Sequence, residues 1–403
     1  MNCLVIADAF PSPREPWRGP YNRRQVEGLA TLCKVLVVNP LPWTWLLKRR
    51  GHSDCAAGAG PVAGVAMQLH PVFLHLPLVG RSLAWRSVLA ATERALREAD
   101  PPAIDVVLAT FAYPHGLAAR QLAKRLGVPY AIKVRGSDLH SLPPAGKRRH
   151  LTAQALRGAA AVVAVSRSLA RIACELGADA ESVHVLPNGV DTEGFPLIDR
   201  TDARCRLGLS EDGGLVLFVG NLVPVKGLDV LLEALRLDAR SGGAAQQYSV
   251  AIAGSGPLRR WLARRIAAGG LGGRVRVLGE LGRQEVALWM NAADALVLPS
   301  RNEGCPNVVL EALSCGTPVV ASRVGAVPEL INGTCGIQVE PGDAEGLATG
   351  LRSCLSGGWD RQAIRLRVKD MSWQANAEKL FSILRNIVYG REVETRLGVA
   401  KAD

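Results

Sequence analysis

The sequence predicts an α/β chain of two doubly wound domains with parallel sheets, and three observations predict it. Short apolar runs of strand length alternate with segments of helical period from one end to the other. The runs are near-continuously hydrophobic, as strands covered on both faces must be. The 403 residues exceed one ordinary core and suit two domains of about 150–200 residues each.

In the first half the predicted strands are Leu4–Ala9, Val35–Asn39, Asp105–Phe111, Tyr130–Val134, Ala161–Ser166 and Val183–Leu186. Helical segments Asn22–Leu32, Ser82–Arg97, Leu117–Leu126 and Arg167–Leu176 fall between them. The second half repeats the rhythm. Strands Leu215–Val219, Ser249–Ala253, Val275–Leu278, Ala295–Pro299, Val319–Ser322 and Ile337–Val339 alternate with helices Leu228–Leu237, Leu258–Ala268, Gln284–Asn291, Asn307–Leu313 and Ala344–Leu355. Asn188-Gly189 is turn chemistry, and a looser segment, Thr192–Gly214, follows it. The domains are therefore drawn as 1–190 and 191–371. The remainder, 372–403, holds a terminal helix, Trp373–Tyr389, with Leu380, Ile383, Leu384 and Ile387 on one face. Its pattern fits packing on either domain, including back on the first.

Composition narrows the class. Nine cysteines include no C-x-x-C pair and seven histidines form no metal-ligand motif, so neither a disulfide framework nor a structural metal site is expected. No apolar run reaches membrane-spanning length, and the opening Met1–Asp8 lacks a basic leader and reads as a buried strand; a cytosolic protein is expected. The net charge of +12 suits either simply a soluble protein of Arg-rich composition or polyanionic or phosphorylated partners. Nucleic acid is not among them, because the 48 basic residues are dispersed and aromatics make only 5%. Two stretches interrupt the alternation. Trp43–Arg50 sets Trp43, Trp45, Leu46 and Leu47 beside Lys48, Arg49 and Arg50, which suits either an anionic membrane surface or a surface loop. Gly146–His150 reads as a solvated, basic helix start.

The richest segment runs from Pro299 to Ala312, PSRNEGCPNVVLEA. It leaves a strand, makes a tight loop and opens a helix, so the loop lies at the carboxyl end of a parallel strand, where such sheets bind ligands. Pro306 suits the first helical turn, and the amides of Asn307 and Val308 face out beside the positive end of the dipole, a pocket for a diphosphate. Glu303 and Glu311 flank it. Carboxylates there repel phosphate and suit neutral hydroxyls, as of a sugar and a ribose. A second strand–loop–helix, Val219–Gly227, places Lys226 at a helix start, where it would meet a phosphate. Singly, each of these is also what an ordinary surface residue looks like.

Together, G-x-L-x-x-x-K-G over Gly220–Gly227 and E-G-x-P-x-x-x-x-E-A with C-G-x-P-V-V over Glu303–Val320 resemble the retaining glycosyltransferases of family four, the group 1 glycosyl transferases. Gly254-Ser255-Gly256-Pro257, Pro187–Asp191 and Pro328-Glu329-Leu330 support the resemblance, which is dense in the second half and looser in the first. It implies the GT-B architecture: two Rossmann-like domains facing a central cleft, the first on the acceptor side and the second holding a nucleotide-sugar donor. By resemblance Lys226 would neutralise the donor diphosphate, Glu311 hold the ribose, and Glu303 contact the sugar. The amides of Gly304, Cys305, Asn307 and Val308, around Pro306, would meet sugar and phosphate. Gly19, in Arg18-Gly19-Pro20, stands where the family brings a glycine loop to the diphosphate. Asn221 replaces the family's usual Arg and keeps a hydrogen bond without the charge. Arg135-Gly136-Ser137-Asp138 stands where the family often has His-Gly, leaving Asp138 and His115 as the candidate catalytic groups of the first domain. A plain loop histidine is the alternative for His115.

The expected reaction is transfer of a sugar from UDP or GDP to a hydroxyl of a saccharide or lipid-linked glycan, with retained configuration, in cell-surface polysaccharide assembly. No Asp-x-Asp occurs, so no metal and no cofactor beyond the donor are expected. A sugar-nucleotide epimerase of the same architecture and a non-catalytic sugar-nucleotide-binding protein remain the alternatives.

Overall fold

The computed structural model describes residues 1–13, 15–44, 62–74, 80, 82–142, 145–240 and 248–396, with residues 240 and 391–396 described in backbone alone. The chain divides into two compact units, Met1–Asn188 with Trp373–Asp403, and Gly189–Ser372.

In the first unit the strands are β1 (Asn2–Ile6), β2 (Lys34–Val38), β3 (Leu41–Pro42), β4 (Met67–Leu69), β5 (Val72–Phe73), β6 (Val106–Ala109), β7 (Tyr130–Val134), β8 (Ala161–Ala164) and β9 (Val183–Val185). Seven pair in parallel in the order β4-β2-β1-β6-β7-β8-β9, and β3 with β5 form a separate parallel pair. The second unit holds β10 (Gly214–Val219), β11 (Tyr248–Ala253), β12 (Val275–Gly279), β13 (Ala295–Leu298), β14 (Val319–Ser322) and β15 (Gly336–Val339), all parallel, in the order β12-β11-β10-β13-β14-β15. The second order is that of the doubly wound dinucleotide fold. In both sheets the strand order reverses once, between β1 and β6 and between β10 and β13. Connections on either side of that point run to opposite faces and leave a crevice outside the carboxyl ends.

Each unit has its own core. Val216, Phe218 and Ile252 of the second sheet pack in one cluster with Leu231 and Leu235 and with Leu347 and Leu351, from two helices that lie side by side. In the first, Val5, Val37 and Leu108 pack with Leu29 and with Leu380 and Leu384 of the terminal helix Trp373–Arg396. That helix therefore lies on the first unit. Gly28 lets it approach closely, since a Cβ there would sit 2.7 Å from the Cβ of Ala377. Gln25 Nε2 donates to Asn376 Oδ1 (2.6 Å), Asn376 Nδ2 to the Pro187 carbonyl (2.5 Å), and the buried Lys133 Nζ to Gln25 Oε1 (2.9 Å). The amide of Val190 donates to the Met371 carbonyl at 2.7 Å, so the two segments that bound the second unit run side by side.

The segment expected to be loose, Thr192–Gly214, is ordered around the helix Arg200–Arg206. Asp199 caps it, accepting from the amides of Thr201 and Asp202. Arg204, 1% exposed, donates to the carbonyls of Ala292, Ser210, Glu211 and Gly213 and to Asp294 Oδ2. Its polar composition hid a buried guanidinium that finds enough acceptors to offset its desolvation. Likewise Gly146–His150 opens a full helix, Lys147–Arg157.

Candidate functional site

The crevice of the second unit brings together the loops after β10 and β13. The turn Pro224–Lys226 and Gly227 follow β10, and the loop 299–306 follows β13. Lys226 Nζ donates to Glu303 Oε1 at 2.6 Å, with the two side chains 20% and 10% exposed. Ser300 Oγ, buried, donates to the same oxygen at 2.7 Å. The two loops touch because Gly227 has φ +67° and no side chain. A Cβ there would lie 1.9 Å from the Pro299 carbonyl oxygen. Arg301 fastens the contact. Its amide donates to the Val225 carbonyl (2.8 Å), Nη1 to the Pro224 carbonyl (3.1 Å), and its guanidinium grips Asp229 at 2.8 and 2.5 Å. The hydrogen bond from Arg301 holds the Asp229 carboxyl below its ordinary range and raises the guanidinium's own pKa.

Helix Asn307–Ser314 starts at this loop. Its first amides precede any intrahelical acceptor and carry the positive end of the dipole. Asn307 Oδ1 is buried without a hydrogen-bond partner, and Glu311 stands one turn further along the same face. Gly304 and the buried Cys305 lie in the loop, tied down by the Ala326 amide, which donates to the Gly304 carbonyl at 2.8 Å. Asn221, just beyond β10, is exposed. Two placements differ from expectation. Pro306 is the cap residue (φ −74°, ψ 106°), one position before the first turn, where its missing N–H again costs nothing. Lys226 closes a short turn and is cut off by Gly227 from helix Leu228–Arg240, so the positive helix end beside the site is that of Asn307, not its own.

The first unit has a corresponding crevice. A cavity of about 400 Å³ is lined by residues beyond β1 (Asp8, Arg18), β2 (Pro40), β6 (Phe111, His115) and β7 (Asp138). His115, 4% exposed, has its Nδ1 3.9 Å from Asp8 Oδ1 and without a hydrogen-bond partner. Burial holds the imidazole below its ordinary pKa, against the pull of Asp8 and with the push of Arg18. Asp138 Oδ1 accepts from the amides of Arg135 (3.0 Å) and Gly136 (2.8 Å), and Oδ2 from Ala112 (3.3 Å). Burial raises this carboxyl and those three amides pull it back. With both oxygens engaged by backbone, Asp138 positions the loops after β6 and β7. Gly19 (φ +66°) caps helix Pro20–Ala30, and a Cβ on it would sit 2.2 Å from the Ala9 carbonyl oxygen, so the local fold already requires glycine there.

Sequence reasoning gave Lys226, Glu303 and Glu311 and overlooked Ser300, Arg301 and Asp8. Ser300 had one visible signal, a hydroxyl directly after the strand and three residues before Glu303. Of the stretch Trp43–Arg50, residues 45–50 lie outside the described residues. Among the described residues no helix is long and apolar enough to cross a membrane, and no three His, Cys, Asp or Glu side chains gather as metal ligands.

The family model for glycosyl transferases group 1 matches residues 213–357, and that for glycosyltransferase family 4 matches residues 11–194. D-inositol 3-phosphate glycosyltransferase 1 of Catenulispora acidiphila is 32% identical over 295 residues, 68% of this chain and 71% of that one. TuaC of Bacillus subtilis, named as a glycosyltransferase of teichuronic acid biosynthesis, is 29% identical over 360 residues, 86% of this chain and 87% of that one. The structure of Anabaena HepE with UDP-glucose aligns with a TM-score of 0.66 at 20% identity, over 98% of this chain and 100% of that one. The chain belongs to the family 4 glycosyltransferases, the glycosyl transferases group 1, and has the two Rossmann-like domains of the GT-B fold.

Proposed function

We propose that the protein transfers a sugar from a UDP- or GDP-sugar, with retained anomeric configuration, to a hydroxyl of a saccharide or lipid-linked glycan in cell-surface polysaccharide assembly. The observation that carries this reading is the Lys226–Glu303 pair beside the start of helix Asn307–Ser314. A diphosphate seated on the helix amides competes with Glu303 for the ammonium, and the carboxylate so released accepts from a sugar hydroxyl. One exchange of partners then couples phosphate binding to sugar binding.

In the reaction the bond from the anomeric carbon to the phosphate oxygen breaks, with its electron pair leaving on the diphosphate. Lys226 and the helix amides stabilise that developing charge, as preorganised donors do. The acceptor oxygen bonds to the anomeric carbon on the same face, and its proton passes to the departing phosphate oxygen. No metal is needed in this scheme. Solved with UDP-glucose, HepE makes UDP-sugars the first donors to try, and the name of TuaC supports a cell-surface polymer.

Thermal-shift screening against UDP-, GDP- and ADP-sugars, followed by product analysis with and without chelator, tests the reading. A UDP- or GDP-sugar should raise the melting temperature, and transfer should survive the chelator. Donor isomerised without an acceptor would make the protein an epimerase. Binding with neither transfer nor hydrolysis would leave it a binding protein.

A further inference from the structure

The two ends of helix Asn307–Ser314 are finished unequally. At the start, Pro306 makes no side-chain cap and the first turn holds no acidic residue. Two guanidiniums close the far end. Arg365 Nη1 donates to the Ser314 carbonyl at 2.5 Å, and Arg361 Nη2 and Nε donate to the carbonyls of Cys315 (2.9 Å) and Gly316 (3.4 Å). Both arginines stand on the short helix Arg361–Leu366, four positions apart and so on one face of it. Asp360 fixes that helix, accepting from the amides of Gln362 (2.9 Å) and Ala363 (3.1 Å).

These carbonyls need donors, and neutral donors serve at the same corner: Ser314 Oγ donates to the Phe195 carbonyl at 2.8 Å. The charges are therefore a surplus over what hydrogen bonding requires. Among the described residues neither arginine forms an ion pair; their other hydrogens go to the carbonyls of Phe195, Thr192 and Ile198 and to Asn291. Burial lowers the Arg361 pKa, so its charge is kept against desolvation. Two such cations more than cancel the half charge at the negative end of the dipole. The helix has eight residues, a length of about 12 Å. Val309, Leu310 and Leu313 on it are buried, so part of the path from the cations to the helix start runs through interior, where salt screens little.

We propose that Arg361 and Arg365 are positioning residues for the donor: by closing and charging the far end of helix Asn307–Ser314 they make its start a stronger seat for the diphosphate without touching it. This rests on the transferase reading, and it assigns part of the phosphate affinity to residues outside the crevice.

The full chain is titrated calorimetrically with UDP, UMP and uridine, and with GDP, GMP and guanosine alongside. An electrostatic contribution scales with ligand charge, and loss of local order does not. Arg365→Gln should weaken the diphosphate roughly threefold, as expected for one charge about 15 Å away across a partly screened path. The monophosphate should lose less and the nucleoside nothing. Arg365→Lys should keep the wild-type ratio of diphosphate to nucleoside affinity. Ser314→Ala, which loosens the same end and removes no charge, should lower the melting temperature and leave that ratio alone. Should Arg365→Gln not fold, Gln362→Glu, which adds an anion at an exposed position beside both arginines, must lower the ratio in its place. A ratio unchanged in the charge-altering variant, or lowered as much by Ser314→Ala as by Arg365→Gln, overturns the proposal. A wild type that binds neither diphosphate more tightly than its nucleoside would instead strike the transferase reading, whatever the variants do.

Discussion

Replacing Lys226 by Ala removes the ammonium that lies 2.6 Å from Glu303 Oε1 in a part-buried contact. Two quantities change in different ways. Stability falls, because Glu303 keeps Ser300 Oγ but loses its counter-ion; for side chains this shielded the cost is about 1–2 kcal/mol, or a melting temperature about 2–6 °C lower. Affinity for nucleoside diphosphate falls as well, on its own account. A charge-assisted hydrogen bond to phosphate is worth about 1.5–3 kcal/mol, but the wild-type ammonium must first leave Glu303, which returns part of it. A loss of roughly tenfold in affinity is therefore expected, near the lower end of that range. The same exchange predicts the opposite sign for Glu303→Gln. With its competitor neutralised, Lys226 should hold bare UDP or GDP a few-fold tighter while transfer slows. Calorimetric titration of wild type, both single variants and the double variant gives the coupling between the two positions. Lys226→Ala that stays folded by circular dichroism and binds nucleotide within twofold of wild type refutes the argument. So does weaker nucleotide binding by Glu303→Gln.

Three further outcomes follow from the geometry. Gly227→Ala must force its Cβ against the Pro299 carbonyl at φ +67°, so it should destabilise the second unit by about 2–4 kcal/mol, read by chemical denaturation. His115 is buried with its pKa lowered, so the unfolded chain takes up its proton first as pH falls through the ordinary histidine value near 6.5. The wild type should accordingly lose stability below that pH, relative to His115→Asn, until the folded state also protonates; parallel melting curves from pH 7.5 to 5.0 check this. Asn376→Ala leaves the Pro187 carbonyl and Gln25 without a shared partner and should cost about 1–3 kcal/mol in unfolding of the first unit, with nucleotide affinity unchanged.

The strands were legible because a doubly covered parallel strand writes a continuous apolar run into the sequence, as Ala295–Leu298 and Val319–Ser322 do. That Lys226 and Glu303 serve one site was legible only through resemblance, and their direct ion pair was not legible at all, since nothing local links residues that far apart. What stayed hidden depends on contacts between distant polar residues. Arg301 and Asp229 are 72 positions apart, and each alone looks like ordinary surface. Arg204, in the segment expected to be loose, is buried, and its acceptors are largely backbone carbonyls that no side-chain pattern reveals. Asp138 reads from sequence as a candidate catalytic group, and no local pattern reveals the three backbone amides that hold its carboxylate.

The return of helix Trp373–Arg396 to the first unit makes the second unit an insert within it. During synthesis, Gly189–Ser372 can emerge from the ribosome and fold on contacts entirely its own. The first unit must wait for Leu380 and Leu384 before its interior is closed. A nascent chain halted shortly after Ser372 would therefore present a finished insert on a host whose Leu29 and Val37 still face water, a marked substrate for chaperones and proteases.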